Sequence, residues 1–284
     1  MRKKTLTHVI TILLVSAGLA FAQVPADQDT IEIPSGIANI GLIEATINGD
    51  ADENGNRINP RRVYKLLAGD HYIQSPILFG GADIDDTTST LIIVGESGSM
   101  PMVLTSPLDD GDNFRHIVHG SLTLKNLYWP CTSLNEKSSG LFNLNRANQR
   151  LEVENFVTEN SFRGDVFGLR GVTQEVDIFL KNVYFRDLSQ LQNSWNFVMF
   201  ARGNGLQVDT MWIENTTVVN GGMPVFGKDC PTNFFFFNHN TIVNTTKYPI
   251  WFDRNRETYI TNNIFINANY EGECRSTWET QLSD

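Results

Sequence analysis

Residues 239–244 read HNTIVN, and two other stretches of this chain follow the same pattern. They are ENTTVVN at 214–220 and NNIFIN at 262–267. Each places a short run of apolar and β-branched residues between asparagines. Because asparagine tolerates turn conformations and β-branched residues favour strands, the pattern predicts a short strand between two turns.

The unit belongs to a longer repeat of strand, basic residue, turn, strand and asparagine, which occurs six times. The copies occupy 114–129, 141–158, 166–185, 197–219, 225–243 and 250–266. Their asparagines are Asn126, Asn155, Asn182, Asn215, Asn240 and Asn263, at steps of 29, 27, 33, 25 and 23 residues. Self-similarity at this period, without a helical pattern, predicts an all-β chain stacked as a parallel β-helix.

A second polar column accompanies the asparagines and indicates a second row of turns. It consists of Asn160, Asp187, Asn220, Asn244 and Asn267. Side chains at equal positions in successive turns of a solenoid lie about 4.8 Å apart. An asparagine amide both donates and accepts, so stacked asparagines can hydrogen-bond along the axis.

The organisation outside the repeats is less regular. Residues 1–22 are interpreted as a signal peptide, because a basic start precedes an apolar run and the site Ala20-Phe21-Ala22. Residues 23–113 are assigned to an N-terminal cap helix, placed at 35–48, and to first irregular turns with strands at 63–67, 71–73, 90–95 and 101–104. The repeats fill 114–267. Residues 268–284 form an incomplete C-terminal segment, which we expect to be truncated.

Composition limits the classes of partner. The chain carries 22 Lys and Arg against 32 Asp and Glu, a formal net charge of −10. An acidic protein is a poor nonspecific ligand for nucleic acid, so no nucleic-acid partner is expected. Cys131, Cys230 and Cys274 allow one disulfide in an oxidising compartment. We expect a secreted or cell-surface monomer without a membrane span after signal cleavage.

One basic residue recurs near the same place in every repeat. The basic column comprises His119, Arg146, Arg170, Arg202, Lys228 and Arg254. Six stacked cations cannot be buried unpaired, because desolvating each one costs several kcal/mol. The column therefore predicts a solvent-facing groove for a long polyanion. The alternative is surface ion pairing with Glu175, Asp229 or Asp253.

Alternation along the same strands predicts which apolar side chains face outward. The positions expected to point inward are Ile117, Leu144, Gly168, Phe200, Phe226 and Phe252. Their neighbours Phe167, Met199, Val225 and Trp251 would then form an exposed apolar stripe on which sugar rings could stack, with Phe167 and Trp251 as substrate-binding residues. The alternatives are an alternation shifted by one residue, or a loop that covers the stripe.

Calcium is the only cofactor that the sequence suggests. Asp50, Asp52 and Asn54 supply oxygen ligands at alternate positions, and Gly55 occupies the sixth position of an EF-hand pattern. Arg61 stands where that pattern requires a bidentate glutamate. The alternative is a connecting turn after the cap helix.

The repeats, with NNIFIN, ENTTVVN and HNTIVN at their turns, resemble the pectate/pectin-lyase-like right-handed parallel β-helix superfamily. The resemblance covers about 150 residues and implies a right-handed solenoid. Many members are secreted polysaccharide lyases or glycoside hydrolases, and others are adhesins. The Asn-Thr-Asp, Asp-Asp, His-Gly and Arg-Ile-Lys set of the polygalacturonases is absent, as is the Trp-x-Asp-His motif of the pectate lyases. No catalytic residue therefore transfers by motif.

Two functions remain open. The first is β-elimination on an anionic polysaccharide, in which cations neutralise the uronate carboxylate and a base removes the C5 proton. Lys228 and Arg202 are the predicted catalytic residues, because the cations around Lys228 favour its deprotonated form. His119, Arg146, Arg170 and Arg254 would bind the polymer. The second is a noncatalytic module for adhesion, carbohydrate binding or structure.

Overall fold

The structure is a computed structural model. It describes residues 29–53, 56–80, 89–105, 115–131, 141–144, 149–160, 165–170, 175–188, 197–202 and 206–268. Within these ranges it describes only the backbone of residues 170, 197–202, 226, 228–229 and 252–254. The predicted signal peptide, Arg146, Asn54 and Cys274 lie outside the described residues.

The described residues are mostly strands. The strands are β1 (Thr30–Ile33), β2 (Val63–Leu66), β3 (Asp70–Ile73), β4 (Leu78–Phe79), β5 (Thr90–Gly95), β6 (Met102–Thr105), β7 (His116–Val118), β8 (Ser121–Tyr128), β9 (Phe142–Leu144), β10 (Arg150–Glu159), β11 (Asp165–Arg170), β12 (Val176–Arg186), β13 (Phe197–Arg202), β14 (Val208–Glu214), β15 (Thr217–Gly221), β16 (Val225–Asn238), β17 (Thr241–Thr245), β18 (Ile250–Thr261) and β19 (Ile264–Ala268). A 3₁₀ turn (Ile37–Asn39) and one α-helix, α1 (Leu42–Gly49), lie between β1 and β2.

All pairings between these strands are parallel, and they form three sheets that run along one axis. Sheet A contains β1, β2, β5, β8, β10, β12, β14, β16 and β18 in that order. Sheet B contains β3, β6, the ends of β8, β10 and β12, then β15, β17 and β19. Sheet C contains β4, β7, β9, β11, β13 and the starts of β16 and β18. The chain is a parallel β-solenoid, as predicted, and its right-handed sense stays a prediction.

The core of sheet A consists of alternate residues that stack from one turn of the solenoid to the next. Two inward columns are Leu122, Leu151, Ile178, Met211 and Phe235, and Leu124, Val153, Leu180, Ile213 and Phe237. None of these side chains is more than 2 % exposed. Burying an apolar side chain of this size contributes about 1.5–3 kcal/mol, so the columns tie each turn to its neighbours.

Both predicted polar columns form the bends of the solenoid. The bend between sheets A and B has positive φ at Asn126, Asn155, Asn182, Asn215, His239 and Asn262, and the bend after sheet B has it at Asn160, Asp187, Asn220, Asn244 and Asn267. The second column is therefore confirmed at every position. Along it, the amide of Asn220 donates to Asp187, that of Asn244 to Asn220, and that of Asn267 to Asn244.

The first column departs from prediction in its last two members. Asn240 and Asn263 follow the left-handed residue instead of occupying its position. Asn240 is buried and bridges two backbone groups, because its Oδ1 accepts from the N–H of Thr216 at 2.8 Å and its Nδ2 donates to the carbonyl of Ile213 at 3.0 Å. The prediction was wrong for these two residues because asparagine can have either of two roles at the bend. It can adopt the left-handed backbone conformation, or its side chain can bridge two backbone groups inside the solenoid.

The cap helix is present and shorter than predicted. Its residues Ile43 and Ile47 are buried, as the helical spacing indicated. Glu44 Oε1 accepts the backbone N–H groups of Gln74 and Ser75, which fixes the helix against the segment between β3 and β4. Residues 30–33, which precede the predicted cap helix, form β1 in register with β2. No helix among the described residues is both long enough and apolar enough to span a bilayer.

Replacing Asn182 with alanine should lower the free energy of unfolding by about 2–3 kcal/mol. Asn182 has a φ of 54°, donates to Asn155 at 3.1 Å and accepts from Asn215 at 2.7 Å. Alanine loses both hydrogen bonds and strains the left-handed backbone, whereas Asn182→Gly loses only the hydrogen bonds. Urea unfolding of both variants checks this. Equal losses would contradict the role assigned to the backbone conformation.

Candidate functional site

The predicted basic column is partly assembled by the strand register. Arg170 lies opposite Arg202, and Arg202 opposite Lys228, on the adjacent strands β11, β13 and β16. The register then shifts between Gly227 and Pro231, so that Arg254 lies opposite Pro231. The expected continuation of the column to Arg254 is therefore wrong. His119 occupies the bend after β7, and the roles of these residues stay predictions.

The apolar stripe predicted on sheet C is wrong at Phe167 and Val225, and the side chain of Met199 lies outside the described residues. Phe167 pairs with Phe142 and is completely buried, and Val225 is 3 % exposed. Along the axis, the buried residues His116, Phe142, Phe167, Val225 and Ile250 share one register column of sheet C, and the backbone of Met199 occupies the position between Phe167 and Val225. Trp251 pairs with Phe226 in the next column and is partly exposed, so the outward position predicted for it agrees with the structure.

His116 belongs to the core of the solenoid. Its ring lies 5.0 Å from that of Phe142 and 5.1 Å from that of Trp129, and its Nδ1 accepts the N–H of Ile77. Burial lowers the pKa of His116 to about 3. The side chain is a neutral hydrogen-bond acceptor inside the protein, and it is not a general base for an external substrate.

Two of the predicted calcium ligands, Asp50 and Asp52, are engaged by cations and by their own loop. Asp50 Oδ1 lies 2.7 Å from Arg62 Nη1, and its Oδ2 lies 3.5 Å from Arg57 Nη2 and accepts from the Tyr64 hydroxyl at 2.7 Å. Asp52 accepts two hydrogen bonds from Asn56. A calcium site collects carboxylates without cations beside them, so these residues do not fit one. Among the described residues no group of acids, histidines and cysteines could hold a metal ion.

A surface that the sequence analysis missed lies on the outer face of sheet A. Five aromatic residues occupy neighbouring outward positions on β12, β14, β16 and β18. We call this set the aromatic patch: Phe179, Trp212, Phe234, Phe236 and Tyr259. Exposure increases along the axis, because Phe179 is 5 % exposed, Trp212, Phe234 and Phe236 are partly exposed, and Tyr259 is 48 % exposed.

Ring stacking holds the patch in place. The ring centroids of Trp212 and Phe236 are 3.8 Å apart at an interplanar angle of 23°. Phe234 lies beside Phe236 with nearly parallel rings, and Tyr259 lies 5.5 Å from Phe234 at 40°. Aromatic pairs of this kind contribute about 0.5–1.5 kcal/mol beyond their burial. The patch is therefore preorganised, with the ring of Tyr259 as its most accessible member.

A β-bulge widens sheet A where the patch lies. Val176 pairs with Val208 but Asp177 pairs with Thr210, so Asp209 is an extra residue in β14. Strand β16 has a residue opposite this extra position, Asn233, because Val208 pairs with Thr232 and Thr210 pairs with Phe234. Bulges redirect side chains and occur next to functional sites. Here the extra positions carry Asp209 and Asn233 along one margin of the patch.

Hydrogen-bonding groups surround the rings. Asp209 Oδ1 accepts from Gln207 at 3.1 Å and from Asn233 at 2.7 Å. On the opposite margin the indole N–H of Trp212 donates to Glu214 at 3.3 Å. Amides and carboxylates beside exposed rings can bind a ligand that has both an apolar face and a hydroxyl edge.

The earlier strands of sheet A are covered with ion pairs instead of rings. Lys125 Nζ lies 2.8 Å from Glu152 and 3.5 Å from Glu154, and Arg150 Nε lies 3.5 Å from Glu152. The guanidinium of Arg150 also lies 4.2 Å above the ring of Phe179. These contacts end the aromatic surface on that side.

Tyr128, Glu159 and Arg186 form a polar cluster on sheet B that does not have the geometry of a catalytic site. The hydroxyl of Tyr128 donates to Glu159 at 2.5 Å, and Arg186 forms an ion pair with the same carboxylate. Burial and then the hydrogen bond to Glu159 raise the pKa of Tyr128 to about 12. A phenol held protonated in this way is a poor base at neutral pH.

The sequence did contain a signal for the aromatic patch. Residues 234–237 are four consecutive phenylalanines, and a strand can direct only alternate residues into the core. Phe235 and Phe237 are buried, so Phe234 and Phe236 must face outward.

No protein-family model matches the chain, and neither the curated proteins nor the solved structures contain a significant match to it.

Proposed function

We propose that this protein is a noncatalytic module that binds polysaccharide on the aromatic patch of sheet A. The observation that carries the proposal is the row of outward rings on successive strands with amide and carboxylate groups at its margins. A sugar ring has an apolar face of C–H groups and a rim of hydroxyls, and it needs both kinds of partner. The patch offers both on one open surface.

The size of the patch favours a glycan over a folded protein. The four strands that carry the patch, about 4.8 Å apart, span about 14 Å along the axis, and the five positions from Thr210 to Glu214 span about 13 Å along the strand. Roughly 190 Å² is far below the ~800 Å² that each partner buries in a stable protein interface. It matches a few sugar rings. The predicted signal peptide supports export to where polysaccharides occur.

Replacing Tyr259 with alanine should weaken retention of the protein on the polysaccharide that it binds by about tenfold, because an exposed aromatic anchor is removed. Affinity electrophoresis in gels that contain soluble polysaccharides measures this. Tyr72→Ala is the matched control, since Tyr72 is a partly exposed tyrosine on β3 of sheet B. Unchanged retention of Tyr259→Ala, with the wild type retained, would contradict the assignment of the patch.

A second candidate function is β-elimination on an anionic polysaccharide, and the register of Arg170, Arg202 and Lys228 favours it. In that reaction the cations would neutralise the uronate carboxylate, Lys228 would take the C5 proton, and the C4–O bond would break to leave an unsaturated sugar.

An ultraviolet assay with pectate, alginate and glycosaminoglycans, with and without Ca²⁺, tests this second candidate. We expect Lys228→Ala to abolish any product formation, whereas Lys65→Ala, which removes a lysine paired with Glu32 on sheet A, should leave it unchanged. Absence of product from the wild type on every polymer would exclude this candidate and leave the binding function.

A further inference from the structure

We propose that a second copy of this chain docks on the last described turn of the solenoid, so that two copies associate through these ends. We call this surface the end face, and it comprises residues 255–261 of β18 together with β19. The inference is independent of the proposed glycan binding, because it concerns the strand edges at the end of the axis and not the outer face of sheet A.

The core of the solenoid is open at the end face. One inward column of sheet B consists of Phe185, Val218, Ile242 and Phe265. The first three are at most 2 % exposed, whereas Phe265 is 40 % exposed. Its ring stacks on the buried ring of Phe237 at 6.3 Å, so it belongs to the core and not to the outer surface. A further layer on the end face would bury this ring, as each turn buries the turn before it.

The backbone of the end face also has an open edge. Strand β18 pairs with β16 and strand β19 pairs with β17, and no other described strand pairs with either of them beyond these partners. Ile264 and Ile266 on β19 are 54 % and 51 % exposed. Native proteins usually protect such an edge with lysine or proline, and β19 contains neither. An edge of this kind can add another strand through main-chain hydrogen bonds.

The opposite end of the solenoid is closed. Helix α1 packs over β3 and β4, and its residues Ile43 and Ile47 are buried in the core with exposures of 1 % and 0 %. A head-to-tail stack would need an open surface at both ends. Contact between two end faces needs only one, and it closes after two copies. The two-fold axis reverses the strands, so they pair antiparallel, which is slightly more stable than parallel pairing.

The charge of the end face favours a copy of itself. The whole chain has a formal net charge of −10, so two copies repel each other as they approach. Residues 250–268, which form the last described turn, contain two acidic and two basic residues and have a formal charge of zero. A surface that contacts its own copy must carry no excess of either sign. The end face meets this requirement, whereas a strongly basic partner would find no complementary charge there.

Sedimentation of the wild-type protein without residues 1–22, in the presence of a thiol reductant, tests the inference. The end face extends about 23 Å along β18 and about 17 Å along β19, which is small for a protein interface. We therefore expect reversible association with a dissociation constant on the order of 10 μM. Between about 1 and about 200 μM the mass should rise from one chain to two and no further.

A matched pair of variants assigns the association to the end face. Ile266→Lys places a charge on the open edge and should raise the dissociation constant at least about tenfold. Ile37→Lys is the control, because Ile37 is 62 % exposed and lies in the 3₁₀ turn at the opposite end. It should leave the dissociation constant unchanged.

Thr258→Pro tests the edge without adding charge. The carbonyl of Thr261 accepts from His239 on the β16 side, and backbone groups alternate along a strand, so the N–H of Thr258 points to the open edge. Proline there should keep the pairing with β16 and also raise the dissociation constant about tenfold. Two results would overturn the inference. One is a single chain at every concentration, as the sequence suggested, and the other is a dimer that both end-face variants leave intact.

Discussion

Replacing Asp50 with alanine is expected to lower the free energy of unfolding by about 3–5 kcal/mol, because it leaves buried positive charge without its partner. The side chains of Asp50 and Arg57 are 3 % and 2 % exposed. Arg57 Nη2 also donates to the Tyr64 hydroxyl at 2.6 Å, and its guanidinium lies 4.5 Å from the ring centre of Phe79. The guanidinium cannot reach water without disrupting these contacts.

Asp50 is the centre of a network that joins distant parts of the first turns. Arg62 bridges Asp50 and Asp29, and the hydroxyl of Tyr64 donates to Asp50. Burial and then this hydrogen bond raise the pKa of Tyr64. Removing the carboxylate therefore loosens the start of β2, the loop after α1 and the segment before β1 together.

Matched variants separate this account from a calcium site. Asp52→Ala should cost less than about 1 kcal/mol, because Asp52 is exposed and its carboxylate accepts hydrogen bonds from Asn56 in the same loop. The double variant Asp50→Ala/Arg57→Met should recover part of the loss, since it removes both buried charges. Urea unfolding with and without a calcium chelator measures all of these. Equal losses for Asp50 and Asp52, together with destabilisation by the chelator, would support calcium instead.

The bends of the solenoid could be read from the sequence because their cause is local. A left-handed residue favours asparagine whatever its distant neighbours are, and each amide finds its partner one turn away. The pattern therefore predicted the left-handed positions of Asn160, Asp187 and Asn220, and also the hydrogen bond between Asn220 and Asp187. The strands at 63–66, 70–73 and 90–95 were likewise confirmed because strongly apolar runs leave few other choices.

The contacts of Asp50 could not be predicted from the sequence, because they depend on the strand register and on the course of the chain between α1 and β2. Arg57, Arg62 and Tyr64 reach Asp50 only after the chain has turned back from α1 into β2. A spacing of oxygen ligands cannot reveal an arginine that will occupy the same space. The shift between Gly227 and Pro231, which displaces Arg254 from the basic column, is a non-local feature of the same kind.

The alternation on sheet C was wrong at Ile117, Phe167 and Val225 for a different reason, although Leu144 is buried as predicted. Ile117 is only partly buried there, whereas its neighbour His116 lies in the core. A polar ring inside and an isoleucine outside invert the hydrophobic signal on short strands, and a shift of one residue exchanges the two faces. The aromatic patch was missed for the related reason that a run of four phenylalanines has no visible alternation.

Replacing Phe167 with alanine distinguishes the exposed position that the sequence predicted for this residue on sheet C from the core position that it has in the structure. The structure places the ring in the core, with centroids 6.4 Å from Phe142 and 6.1 Å from Phe156. Truncation of a completely buried phenylalanine leaves a cavity, and we expect a loss of about 3–5 kcal/mol in the free energy of unfolding. Glycan retention by the folded fraction should not change, because Phe167 does not contact the aromatic patch.

Phe167→Leu keeps the test informative if the alanine variant does not fold. Leucine fills most of the space, so the loss should fall to about 1–2 kcal/mol. Trp251→Ala, at a partly exposed position on the same sheet, is the control for removing an aromatic ring from the surface. If Phe167→Ala unfolds like the wild type but loses glycan retention, the exposed stripe first predicted on sheet C is the binding surface and sheet A is not.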